Sequence, residues 1–137
     1  MAGPSASLVV DASVVVAALV DGGPAGAWAA ETMRGRFLVA PAQLPVEVAS
    51  VLRWLAASGA VGADVATLAH ADVLELRVQA YPYAPFGERV WSVRSVASVF
   101  EAAYVALAEA VKAPLATLDG RLARTPGVKC ASVTREP

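Results

Sequence analysis

The stretch Leu8-Val9-Val10-Asp11 decides the fold class, because a short apolar run with the length of a buried strand stops at a carboxylate. A short apolar helix is predicted directly after it. Three further runs are also predicted to be buried strands: Phe37–Ala40, Leu115–Leu118 and Val128–Ser132. A fifth run, Leu76–Ala80, is either a strand or the end of the preceding helix.

Helical segments are predicted between these runs. They are Ser13–Val20, Ala25–Arg34, Leu44–Ser58, Ala63–Leu74, Phe86–Arg94, Val99–Val111 and Gly120–Arg124. Strands that alternate with helices indicate an α/β domain with a mainly parallel sheet, and right-handed crossovers place helices on both of its faces. In such a three-layer α/β/α domain, ligands bind beyond the carboxyl ends of the strands, where the strand order reverses.

The composition excludes several classes of protein. The chain has 137 residues, of which 57% are hydrophobic and 17% charged, so we expect one folded domain over residues 1–137 and no extended disorder. Cys130 is the only cysteine, which excludes a disulfide scaffold. No apolar run reaches the roughly 18–20 residues of a membrane span, and Asp11 interrupts the best candidate, Leu8 to Val20. The N-terminus lacks a basic start, so we expect no signal peptide and a reduced, cytoplasmic protein.

The net charge is −1, from 11 basic and 12 acidic residues. A chain with this balance has no overall positive field that would attract nucleic acid, so such binding requires a local patch. Because charged residues are scarce, the positions of the acids are informative.

Four acids occupy equivalent places in the predicted fold. Asp11 and Asp119 each follow a predicted strand, whereas Glu47 and Glu101 each lie in the first turn of a predicted helix. Helices that follow strands begin at the carboxyl edge of a parallel sheet, so all four acids can face that edge. Each also has a simpler explanation as a helix cap or first-turn acid, and Ser98 with Glu101 matches a capping box.

Converging carboxylates require a compensating positive charge, and Arg121 is the only basic residue close to any of the four in the sequence. A divalent cation would supply that charge, and ligation by oxygen alone suits Mg²⁺ or Mn²⁺. Zinc is disfavoured because His70 and Cys130 are the only residues of their types. A serine-nucleophile motif and a glycine-rich phosphate loop are both absent.

Four stretches resemble PIN-domain ribonucleases, and most closely the VapC toxins of bacterial toxin–antitoxin pairs. They are Val9–Ser13, Pro45–Ala49, Phe100–Glu109 and Pro114–Ala123. Their order and spacing fit the whole chain. The resemblance implies a PIN fold, Mg²⁺- or Mn²⁺-dependent cleavage of RNA, and inhibition of translation and growth until an antitoxin neutralises the toxin.

The resemblance also implies roles for individual residues. It places Asp11, Glu47, Glu101 and Asp119 on the catalytic acidic quartet, with the first, third and fourth as metal ligands. The third acid of the family is usually Asp, so Glu101 is a departure whose extra methylene lets the carboxylate reach further. The implied partners are a VapB-type antitoxin, a second toxin chain in a homodimer and in a toxin–antitoxin hetero-oligomer, and RNA, without a membrane.

The contacts to RNA are predicted from position. Ser13 and Thr117 match the family's small hydroxyl residues beside the first and last acids, and Arg121 and Arg124 follow Asp119 closely. Arg94 is a weaker candidate. The alternative for the arginines is a solvated helix face.

Three aromatic residues, Trp54, Trp91 and Phe100, could stack on bases, although we expect packing in the core or in an interface for each. The apolar stripe from Val48 to Leu55 and the helix Ser13–Val20 indicate more apolar surface than a small core covers, which is typical of a partner surface.

Two other interpretations remain open. One is a non-catalytic metal-binding α/β module such as a receiver domain, although Val10 stands where a paired acid would precede Asp11. The other is a PIN nuclease of RNA processing that acts without an antitoxin. A further class, a haloacid-dehalogenase-like phosphotransferase, is disfavoured because Ser13 takes the place of its second Asp.

Overall fold

The computed structural model describes residues 6–135. The predictions of no signal peptide and of one domain over 1–137 extend to residues outside this range. The strands are β1 (Ser7–Val10), β2 (Phe37–Pro41), β3 (Gln79–Tyr81), β4 (Leu115–Thr117) and β5 (Ser132–Thr134). The helices are α1 (Ala12–Val20), α2 (Pro24–Met33), α3 (Leu44–Ala57), α4 (Ala63–Glu75), α5 (Gly87–Ser92), α6 (Val99–Val111) and α7 (Gly120–Ala123), with a 3₁₀ turn at Ala84–Phe86.

The strands form one parallel sheet in the order β3-β2-β1-β4-β5, which confirms the predicted α/β class. The chain moves outward from β1 to β2 and β3, and then crosses back to β4 on the other side of β1. Right-handed crossovers therefore place α1–α4 on one face of the sheet and α5 and α6 on the other. The strand order reverses between β1 and β4.

Strand β1 lies at the centre because its side chains are apolar on both faces. Leu8, Val9 and Val10 are fully buried. Val9 pairs with Val39 of β2 on one side and with Leu115 of β4 on the other. A parallel strand buried on both faces is expected to be apolar without alternation, as this one is.

The last predicted strand was placed too early in the chain. Residues 128–130 lie outside any strand, and β5 begins at Ser132, where Leu115 of β4 fixes the register. Val128 contributes a half-buried side chain to the core without forming strand pairs, which explains the error. Cys130, which falls within that predicted strand, is half-buried and lies ahead of β5.

Of the two places expected for the three aromatic residues, the core or an interface, the structure excludes the core. Trp54 and Trp91 expose 65% and 59% of their surface, and Phe100 exposes 60%. On α3, Val48 and Leu52 are buried while Val51 is exposed, so the predicted apolar stripe is only partly covered.

No single helix between residues 6 and 135 is long and apolar enough to cross a membrane. Only α1 and α2 together reach that length and composition, and they are bent by 115° at the break between them.

Candidate active site

The four acids singled out in the sequence line one cavity at the carboxyl edge of the sheet. Strands β1 and β4 end side by side and bring Asp11 and Asp119 together, while the first turns of α3 and α6 contribute Glu47 and Glu101. The cavity measures about 200 Å³. Its lining consists of Asp11, Ala12, Ser13, Glu47, Phe100, Glu101, Tyr104, Asp119 and Leu122.

Asp11 is held by the chain that follows it. One carboxylate oxygen accepts a hydrogen bond from the Ser13 hydroxyl at 2.6 Å and another from the Val14 backbone N–H at 3.1 Å. Asp11 is therefore the N-cap of α1 as well as a cavity residue. The Ser13 hydroxyl in turn accepts the Leu118 N–H at 3.1 Å, which links Asp11 to the loop after β4.

Thr117 supports the same two strands from within the core. It is fully buried, and its hydroxyl accepts the Asp119 N–H at 3.0 Å. A hydrogen bond from Thr117 also lowers the pKa of Asp11. The side chain therefore connects the two acids that end β1 and β4.

Glu47 has a partner that the sequence interpretation missed. The Tyr104 hydroxyl donates to the Glu47 carboxylate at 2.8 Å, and the tyrosine itself is only 3% exposed. The sequence did contain a signal that Tyr104 lies at the cavity, because it comes three residues after Glu101 and so lies on the same helix face. The pairing itself depends on α3 meeting α6, which no local pattern encodes.

Asp11 and Glu47, here called the inner pair, accept no hydrogen bond from a lysine or arginine within residues 6–135. Burial raises the pKa of Asp11, and the hydrogen bonds from Ser13 and Thr117 only partly oppose this effect. Burial also raises the pKa of Glu47, with a contribution from the Asp11 charge, while the Tyr104 hydroxyl lowers it. The inner pair is thus a concentration of negative charge that its hydrogen bonds only partly offset.

Glu101 and Asp119, here called the outer pair, already accept hydrogen bonds from residues two or three positions away in the sequence. The Glu101 carboxylate accepts the Ser98 N–H at 3.2 Å, and the Ser98 hydroxyl accepts the Glu101 N–H at 3.1 Å, which completes the predicted capping box. The longer Glu side chain makes this return bond, as expected for a capping box.

Asp119 forms a forked ion pair with Arg121, with N–O distances of 3.1 and 2.9 Å. It also accepts the Arg121 N–H at 3.0 Å and so caps α7. The Arg121 guanidinium lowers the pKa of Asp119, and the charge of Arg124 contributes in the same direction. Both predicted RNA-binding arginines are exposed next to the cavity, whereas Arg94 stacks over Trp91 at 4.7 Å and does not line it.

The polar atoms that line the cavity are of the type that a hard divalent cation prefers. Every polar side chain of the lining offers oxygen, and the inner pair, whose charge is only partly offset, favours a positive ligand. Within residues 6–135, no three His, Cys, Asp or Glu side chains are arranged as a ready-made metal cluster. Mg²⁺ typically keeps several waters and binds through one or two carboxylates plus substrate phosphates, so this arrangement is compatible with it.

The comparisons with known proteins identify the family. No protein-family model matches this chain. The chain is 38% identical over 120 residues to Ribonuclease VapC12 of Mycobacterium tuberculosis, covering 88% of this chain and 92% of that protein. It is 37% identical over 123 residues to Ribonuclease VapC9 of the same organism, covering 90% and 94%. The chain belongs to the VapC ribonuclease family.

This membership confirms the resemblance inferred from the four sequence stretches and the enzyme class, an RNA-cleaving toxin of the VapC type. The ribonuclease names of the relatives argue against a non-catalytic module. The VapC fold is also found by structural comparison. VapC20 of M. tuberculosis, described as a sarcin-ricin loop cleaving toxin, superposes with a TM-score of 0.68 at 18% identity, covering 89% of this chain and 96% of that one.

A second solved structure is VapBC2 of Rickettsia felis bound to a DNA fragment from its promoter. It matches with a TM-score of 0.61 at 10% identity, covering 93% of this chain and 98% of the matched chain. Identities this low show the fold alone, and both neighbours have the VapC fold.

Proposed function

We propose that this VapC chain is a divalent-metal-dependent endoribonuclease, that the acidic cavity is its catalytic centre, and that a VapB-type antitoxin neutralises it. The observation that carries the proposal is the meeting of four carboxylates around one small cavity. Within residues 6–135, no lysine or arginine belongs to the lining of that cavity. Keeping Asp11 and Glu47 charged there is costly unless a cation joins them, because burial raises both of their pKa values.

Asp11, Glu101 and Asp119 are the proposed ligands of Mg²⁺ or Mn²⁺, directly or through water. An ion bound there would polarise the scissile phosphate and lower the pKa of an attacking water. Glu101 and Asp119 would exchange part of their present hydrogen bonding, to Ser98 and Arg121, for this role.

Glu47 is the better candidate for accepting a proton from the attacking water. Its burial raises its pKa, which makes the carboxylate a stronger base. The Tyr104 hydroxyl fixes one carboxylate oxygen and leaves the other free of that bond. Asp119 is the weaker base, because Arg121 lowers its pKa.

The residues predicted to contact substrate separate into two groups. Ser13 and Thr117 use their hydroxyls on Asp11 and on the loop after β4, so we assign them a positioning role. Arg121 and Arg124 are exposed next to the cavity and are the proposed phosphate contacts.

The proposed antitoxin site is an apolar groove that begins at the cavity. Ser13 lines both the cavity and the groove, which has a volume of about 570 Å³ and lies between α1 and α3. Its apolar lining includes Val16, Ala17, Val20, Val51, Leu55 and Val61. A VapB segment lying there would reach the catalytic centre. The proposal also includes a homodimer, a toxin–antitoxin hetero-oligomer, action in the cytoplasm, and one domain over the whole chain.

The test is cleavage of a single-stranded RNA by metal-stripped protein before and after addition of Mg²⁺ or Mn²⁺. We expect activity only with metal, and a higher melting temperature when metal is present, because a ligand that binds only the folded state stabilises it. Asp11→Asn should lose both effects, whereas Asp64→Asn, an exposed acid of α4 outside the cavity, should keep both. Unchanged cleavage after metal removal would contradict the proposal.

A further inference from the structure

Phe100 is an exposed aromatic residue at the wall of the acidic cavity. It precedes Glu101 in the first turn of α6 and leaves 60% of its surface open to solvent. The side chain therefore presents an open aromatic face beside the four carboxylates of the cavity. Tyr104, the other aromatic residue of the lining, is only 3% exposed and already donates to Glu47.

The surroundings of Phe100 favour a nucleobase as its partner. The charged groups of the lining are all carboxylates, which repel phosphate and would require a cation to hold it. A base attached to a phosphate in this cavity must lie beside the acids, where Phe100 is the exposed flat apolar surface. Single-stranded RNA is commonly held by bases stacked on aromatic side chains.

Building on the proposed function, we propose that Phe100 stacks on the base next to the scissile phosphate of a single-stranded RNA and so contributes to affinity and to a modest preference for the base that stacks best. The residue acts by direct contact with substrate. A second protein chain resting on Phe100 is the competing explanation, and the test below separates the two.

The first measurement is binding of a fluorescent single-stranded RNA, with Mg²⁺ present, to protein carrying Glu47→Gln, which keeps the proposed metal ligands and removes the proposed base. Adding Phe100→Leu should weaken affinity about 5- to 150-fold, the usual contribution of one stacked base. Phe100→Trp should retain affinity, because the indole also provides a flat aromatic face. The matched control is Phe37→Leu, since Phe37 is 53% exposed and lies at the start of β2, outside the cavity lining.

The second measurement maps the cut positions in RNA of random sequence, using protein with an intact Glu47. Wild type, Phe100→Trp and Phe37→Leu should share one base preference, and Phe100→Leu should lose it. If Phe100→Leu keeps both affinity and preference, the inference is wrong. If only its oligomeric state by gel filtration changes, Phe100 is a protein contact and the inference is equally wrong. A wild type that binds RNA without cleaving it would instead contradict the proposed function.

Discussion

The two halves of the acidic cavity satisfy their charges in different ways. Among the residues that the structure describes, the inner pair, Asp11 and Glu47, is bound by hydroxyl and backbone groups and by no lysine or arginine, and burial raises both pKa values. The outer pair is bound by residues close to it in the sequence. Glu101 forms the capping box of α6 with Ser98, and Arg121 neutralises Asp119.

The difference shows where a cation is required. The charged forms of the outer acids are already stabilised by hydrogen bonds and by the Arg121 ion pair, so helix capping alone explains why acids occur at these positions. The inner acids are costly to keep charged, and helix capping explains Asp11 only in part. Function is therefore most clearly indicated where the fold stabilises an acid least.

The largest effect is expected from Asp11→Asn. Cleavage should fall at least about 10²- to 10⁴-fold, the range typical of losing one essential proton-transfer or charge-bearing group. The metal-free protein should melt at the same or a higher temperature, because the amide oxygen still accepts the Val14 N–H while the buried charge is gone. Single-turnover cleavage and calorimetry measure the two quantities.

Asp11→Ala serves as a comparison, since it removes the N-cap as well as the charge. It should lower the melting temperature through the lost cap. A drop of several degrees in the melting temperature of Asp11→Asn itself would show that Asp11 mainly supports the fold. The inner and outer pairs would then not differ in their contribution to stability.

The next effect concerns Tyr104→Phe. The change removes the hydroxyl that donates to Glu47 and keeps a ring of the same shape in a buried site. A hydrogen bond to a charged group contributes about 1.5–3 kcal/mol, so cleavage on the acidic side of the pH–rate profile should fall about tenfold or more, because more of Glu47 is protonated there without the bond. The acidic limb of the pH–rate profile should move to higher pH, because the donated bond lowers the pKa of Glu47.

The shift of the acidic limb distinguishes this role from a merely structural one. A variant that loses rate at all pH values, with the limb in place, would show that Tyr104 acts through packing alone. Tyr81→Phe is the matched control, because Tyr81 also packs against the core but lies outside the cavity lining.

The elements that could be predicted were those with a strong local signal. The apolar run before Asp11, the stripe of α3 and the Ser98–Glu101 box depend on neighbouring residues, and each has its place in the structure. The position of β5 could not be predicted, because its register is set by β4 rather than by its own apolar residues.

The candidate site shows the same limit. That the four acids could share one edge followed from the architecture, since strands of a parallel sheet end together. The bond between Tyr104 and Glu47, and the open position of Phe100, arise from the packing of α6 against distant parts of the chain. Composition suggested a protein with no affinity for nucleic acid, yet the local concentration of acids is what a metal-dependent nuclease requires.

A smaller effect is expected in the pH dependence of stability. The pKa of Asp11 is raised in the folded state, so its contribution is fully present below the unfolded value of 3.8 and is lost as pH rises through the folded pKa. The melting temperature of Asp11→Asn relative to wild type should therefore increase between about pH 4 and pH 7.

Asp119→Asn should show the opposite sign in the same experiment. Arg121 lowers the pKa of Asp119, so its contribution is present above the unfolded value and is lost as pH falls through the folded pKa. The two difference curves, measured by thermal unfolding of metal-free protein, should slope in opposite directions. Parallel curves would mean that the inner and outer acids do not differ in this way.

The smallest effect is expected from Arg121→Gln, which addresses the outer pair directly. Arg121 is fully exposed, and an exposed ion pair adds little to stability, so the melting temperature should not change measurably. If Arg121 also contacts RNA phosphate, the affinity for single-stranded RNA should fall, and the slope of log affinity against log salt should decrease by about 0.7. Arg34→Gln is the control, because Arg34 forms a similarly exposed pair with Glu31 on α2, outside the cavity lining. An unchanged salt slope would restrict Arg121 to neutralising Asp119, and Arg124 would then be the arginine to test for the phosphate contact.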